Sequence, residues 1–159
     1  MRRGERRRPA PGFTYVWVLM TLAVLSVGLA ALGPAWSDSV QREREAELLR
    51  IGALYAQAIA RYHDMSPGSA KTYPPNLEAL LSDQSRFVGL QRHLRRLYPD
   101  PMDPGKPWGL VRGDDGTIRG VYSTSDKTPF RREPIDLGLV QLPAARRYSD
   151  WRFVPQPRS

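Results

Sequence analysis

No cysteine occurs in the 159 residues, which excludes disulfides, thiolate metal centres and a cysteine nucleophile. Histidine is almost absent too. His63 and His93 stand alone, with no second histidine at helical spacing, so the usual transition-metal signatures are missing. There is no glycine-rich phosphate loop and no nucleophile motif; nothing in the chain supports an enzyme. The remaining absence is local: from Phe13 to Trp36, twenty-four consecutive residues carry no charge.

That run decides the reading of the whole. As a helix it would span roughly 36 Å, against a hydrocarbon core of about 30 Å. It directly follows a basic start, where five arginines outweigh Glu5 for a net +4. The nineteen basic and fifteen acidic residues beyond the run contribute the other +4 of the total +8. Half of the excess therefore sits beside the run, where it orients the chain with its N-terminus cytoplasmic and the remainder exported. This weakens a nucleic-acid reading of the net charge.

Residues 37–159, 123 in all, suffice for one domain with a modest core. Val40 to His63 holds no proline, and Leu48, Ile51, Tyr55, Ile59 and Tyr62 recur at helical spacing. Arg42-Glu43-Arg44-Glu45 and the pair Glu47/Arg50 read as the wet side. Joined to the uncharged run, this predicts one helix of roughly 50 residues, about 75 Å long. Ser66-Pro67-Gly68-Ser69 ends it. Asn76 is placed to cap a short helix over Leu77 to Leu81. Phe87, Leu90, Leu94 and Leu97 predict a second one, stopped by Pro99 and Pro101. Trp108 to Arg112 and Thr117 to Tyr122, around Gly113-Asp114-Asp115-Gly116, read as a hairpin. A last strand is expected over Trp151 to Val154. The layout is α+β.

The sequence Pro11-Gly12-Phe13-Thr14 resembles the processing site of the type IV pilin and type II secretion pseudopilin family. The resemblance implies a basic leader, 1–12, removed after Gly12 by a prepilin peptidase, with methylation of Phe13. Residues 13–36 become the transmembrane half of a long N-terminal helix. Residues 37–159 become a periplasmic head, with short helices and a small antiparallel sheet. Thr14 matches the second mature position, and Pro34 the helix-bending proline. The fifth mature position departs from the family: Trp17 stands where a glutamate is usual. That carboxylate pairs with the amine of a neighbouring subunit, a charge that is costly to leave alone in an apolar setting, and an indole cannot replace it. Tyr73-Pro74, the stretch Asp103 to Trp108-Gly109, and Ser149-Asp150-Trp151 resemble the G-type pseudopilin head.

The function implied is a pseudopilin of a type II secretion or related system, a single-pass inner-membrane protein. It would assemble with other pseudopilins through its N-terminal helix, at an inner-membrane assembly platform, into a short fibre that drives export. The alternatives are a type IV minor pilin for adhesion, motility or DNA uptake, and a bitopic anchor for a periplasmic binding module. A cleaved secretory signal ending near Ala35 is the competing account of the run itself. The resemblance also implies a calcium loop, for which Asp126 and Asp150 are the candidates, although few carboxylates surround them; otherwise no cofactor is expected. Asp100 and Asp103 read as turn formers between prolines. Arg92-His93-Leu94-Arg95-Arg96 reads as a solvated face in preference to a phosphate-binding one.

Overall fold

The computed structural model describes residues 12–66, 71–81 and 92–156, and within the first helix it describes the side chains of 14–26 and of 38 onward. The chain divides into two compact units, Met1–Val40 and Gln41–Ser159. Helix α1, Gly12–Asp64, contributes to both.

The expected architecture, a pilin-like rod with a transmembrane half and a head-packing half, requires correction. The described helical side chains form a stretch of 13 residues and one of 27. Among the described residues no helix is long and apolar enough to cross a membrane. The 27-residue stretch is amphipathic, with Arg42, Glu43, Arg44, Arg50 and Arg61 exposed.

In the second unit the stripe read from the sequence is the core face. Leu48, Ile51, Tyr55, Ile59 and Tyr62 are all buried, each side chain contributing about 1.5–3 kcal/mol. They join one cluster with Trp108, Ile118, Val121, Trp151 and Phe153. Gly52 lies on the same stripe. A Cβ there would collide with the Phe153 ring, so the missing side chain is what lets the sheet approach α1. Tyr55 meets Trp108 edge-on, with ring centroids 5.4 Å apart. Its hydroxyl donates to the Tyr98 carbonyl (3.0 Å) and accepts from the Tyr98 N–H (2.9 Å), which satisfies a buried phenol.

The sheet is three-stranded and antiparallel, in the order β1 (Gly109–Arg112), β2 (Ile118–Tyr122), β5 (Arg152–Phe153). The hairpin falls within a residue or so of its sequence-based limits. Gly116 takes φ +75°, a conformation that costs glycine little, while Asp115 Oδ1 accepts from the Thr117 N–H and hydroxyl. The register shifts between Val111 and Arg112, a β-bulge of the kind that bends a strand. β5 closes the sheet through Val121↔Phe153 and Tyr122↔Arg152, inside the stretch expected to be a strand.

Two further elements depart from expectation. The helix over Leu77 to Leu81 is a three-residue 3-10 turn, Glu78–Leu80. Asn76 does serve its start, Oδ1 accepting from the Ala79 N–H at 2.9 Å. Of the second short helix, residues through 91 lie outside the described residues, and 92–97 are not helical. There the N–H groups of His93 and Leu94 both donate to the Leu80 carbonyl (3.0 and 2.9 Å), so they serve a long-range tie in place of i→i−4 bonds. A small ribbon of β3 (Ile135–Asp136) and β4 (Gln141–Leu142) turns at Gly138, φ +78°.

Candidate functional site

The first unit presents an apolar surface that no described residue covers. From Thr14 to Ser26 every described side chain is exposed, with Tyr15, Trp17, Met20 and Val24 each above 60%. Two hydroxyls are turned inward on the helix: Thr21 Oγ1 donates to the Trp17 carbonyl and Ser26 Oγ to the Leu22 carbonyl, both at 2.8 Å. Returning a hydroxyl to the helix's own carbonyl satisfies it without a partner outside the helix.

The residues implied by the family resemblance lie on and around this segment. Gly12 is the first residue of α1; the side chain of Phe13 lies outside the described residues, as does that of Pro34. Thr14 and Trp17 are exposed, Trp17 at 62%, with no carboxylate in its place.

The second unit begins with a buried carboxylate that the sequence-based reading assigned to the wet side. Glu45 is only 3% exposed. Its Oε2 accepts from the Phe130 N–H and from the Tyr148 hydroxyl, both at 2.7 Å, and Oε1 accepts from the Arg131 N–H at 3.3 Å. Gln41, one turn earlier, donates to the Thr128 carbonyl (3.0 Å) and to Tyr148 Oη (3.3 Å). Arg42 lies 4.5 Å over the Phe130 ring. Three side chains of the first turns of this unit thus hold the 128–131 loop. A signal was available in the sequence: continued backwards, the apolar stripe passes from Leu48 to position 45. Burial pushes the Tyr148 phenol up to about 12, and the Glu45 carboxylate beside it adds to the rise.

The two calcium candidates are brought near one residue, Arg147. Its guanidinium is 3.4 Å from Asp126 Oδ1, and its N–H donates to Asp150 Oδ2 at 3.0 Å. Backbone bonds from Tyr148 to the Lys127 carbonyl and from Ser149 to the Ser125 carbonyl draw the two segments together. Among the described residues no group of three or more histidines or carboxylates could hold a metal.

Asp100 does shape a turn, Oδ1 accepting from the Met102 N–H (2.9 Å). It is also fully buried, and Oδ2 accepts from the Ser123 hydroxyl at 2.6 Å, a bond that sequence spacing does not reveal. Asp103 pairs with Lys106 at 2.8 Å. Arg92, Arg95 and Arg96 are exposed, and Arg96 lies over the Tyr98 ring. His63, in the last turn of α1, stacks on Tyr73 with centroids 4.2 Å apart; His93 is buried and meets Tyr62 edge-on. Compared with protein-family models, curated proteins and solved structures, the chain matches none.

Proposed function

We propose that the chain is a pseudopilin-type subunit of a type II secretion or related system. Its apolar N-terminal segment is the surface by which it associates with like subunits and with the inner membrane, and residues 37–159 form the exported head. The observation that carries this reading is the uncovered apolar surface of 14–26, set directly behind Gly12-Phe13 and an arginine-rich start. Gly12 and Phe13 are substrates of a prepilin peptidase and methylase. The chain performs no covalent chemistry; its work is mechanical, at an inner-membrane assembly platform.

Trp17 favours a terminal or minor position in the fibre. A subunit with an exposed indole in place of a carboxylate cannot neutralise the amine of its neighbour, and that ammonium is costly in an apolar setting. The decisive experiment is mass spectrometry of the intact protein extracted from membranes. Loss of residues 1–12 with one added methyl group is expected. An unprocessed N-terminus, or a cut near Ala35, overturns the proposal.

A further inference from the structure

The β1–β2 turn contains a peptide bond with a chemistry of its own. Asp115 is followed by Gly116, and the backbone nitrogen of a glycine, unshielded by a side chain, can attack Cγ of the aspartate before it. The carboxyl must be protonated, because its hydroxyl leaves with the amide hydrogen as water. Water then reopens the cyclic imide. Attack at the main-chain carbonyl leaves the chain running through Cγ, an isoaspartyl linkage of unchanged mass; attack at Cγ restores aspartate. Water is the only co-reactant, and Asp115 and Gly116 are both exposed to it.

The Asp115 carboxylate reaches forward past Gly116. Its Oδ1 accepts from the Thr117 N–H (3.1 Å) and hydroxyl (2.6 Å), which turns the carboxyl toward the side where the attacking nitrogen lies. Other contacts oppose the reaction. Oδ2 accepts from Arg119 Nη2 at 3.0 Å, and the Arg119 guanidinium is itself seated 3.8 Å over the Tyr73 ring. The Gly116 N–H donates to the Gly113 carbonyl at 2.9 Å, and the Gly116 carbonyl accepts from Arg112 Nη1 at 2.7 Å. Asp114, the other carboxylate of the turn, is exposed. The Thr117 hydroxyl, the Thr117 N–H and then Arg119 favour the ionised carboxylate, and they hold it below its ordinary range. The unreactive form is thereby the favoured one.

We propose that Asp115–Gly116 is a site of spontaneous covalent modification, isomerising through a cyclic imide, and that Thr117, Arg119 and Arg112 guard it in the folded turn. The isoaspartyl form carries one extra main-chain carbon between Gly113 and Thr117, whose backbone bond (2.9 Å) closes the turn. A modified chain loses that closure.

The test incubates the full chain in detergent, folded or unfolded in guanidinium chloride, and measures isoaspartate at position 115 by peptide mass spectrometry. Isomerisation is expected in both states, several-fold slower in the folded one. T117V and R119Q are each expected to speed it several-fold when folded and to leave the unfolded rate unchanged. A pH series keeps the test independent of how well the variants fold. The reactive acid disappears as pH rises through the carboxyl's own value, so in the parent the folded rate should fall at a lower pH than the unfolded rate. No isoaspartate at position 115 in either state overturns the site. Equal rates in the two states, or coincident pH series, overturn the guard. Unchanged folded rates in both variants, at the parent's melting temperature, overturn the roles of Thr117 and Arg119.

Discussion

Tyr148 donates its phenolic hydrogen to Glu45 at 2.7 Å, across 103 positions of sequence. The bond joins the start of the second unit's helix to the segment just before β5. The same carboxylate takes two backbone N–H groups of the 128–131 loop. One side chain therefore organises three parts of the chain.

Replacing Glu45 by leucine strands the Tyr148 hydroxyl in a buried setting and the Phe130 and Arg131 N–H groups in a part-buried one. Each stranded group costs about 1–3 kcal/mol, although neighbouring losses do not add. The unfolding midpoint in urea is expected to fall clearly for Glu45→Leu, and by less for Glu45→Gln, which keeps an acceptor. Exposed Glu43→Gln, two positions earlier, is expected to leave the midpoint unchanged.

The pH dependence follows from the same contact. Tyr148 is neutral at ordinary pH, and its folded-state value is raised to about 12 by burial, above the ordinary value near 10. Its stabilising contribution is present in full below about pH 10 and is lost as pH rises toward 12. A melting-temperature profile should decline over that window. Tyrosinate absorbance should show a late-titrating ring that disappears in Tyr148→Phe.

These residues show what the sequence could and could not reveal. The core face of the helix was legible because Leu48, Ile51, Tyr55, Ile59 and Tyr62 repeat at 3.6 residues, and the β1–β2 hairpin because its turn needs a glycine at positive φ. Glu45 was hidden because a carboxylate looks solvated wherever it stands; only its partners, more than eighty residues away, reveal its burial. β3 and β4 are two residues long, too short for alternation to register. The apolar pattern of Phe87 to Leu97 suggested a helix, yet at His93 and Leu94 a tertiary tie to Leu80 takes the backbone donors. For the candidate site, the motif at Gly12-Phe13 and the apolar run were visible in sequence. The contact of Glu45 with Tyr148 was not, since it depends on segments 103 positions apart meeting.

Gly52→Ala tests the close approach of β5 to α1. In an ordinary helix the change would be favourable by about 1 kcal/mol. Here the new methyl meets the Phe153 ring, and overpacking of this kind costs about 1–3 kcal/mol. A lower melting temperature is expected, partly restored by adding Phe153→Leu. A rise in the single variant would show that the ring shifts freely.

Calcium offers a separate test near the C-terminal end. Asp126 and Asp150 are both engaged by Arg147, one through its guanidinium and one through its backbone N–H. A divalent ion placed there would have to displace that guanidinium, and would find few of the six to eight oxygens it prefers. Added calcium is expected to leave the melting temperature unchanged, and a chelator to have no effect. A calcium-dependent rise that vanishes in Asp126→Asn would restore the family-based expectation.

Trp17→Glu tests the proposed terminal or minor position of the chain in a fibre. The parent residue is exposed at 62%, and its carbonyl, not its indole, accepts the Thr21 hydroxyl. Replacement should therefore disturb the helix little. What it adds is a carboxylate four residues after Phe13, where it could neutralise the amine of a processed neighbour. If the parent is confined to a terminal position for want of that charge, the variant should enter fibres along their length, and cross-linked ladders of the subunit should extend to higher order. Identical ladders for variant and parent would mean that the indole does not limit assembly and that the segment's apolar surface alone governs it.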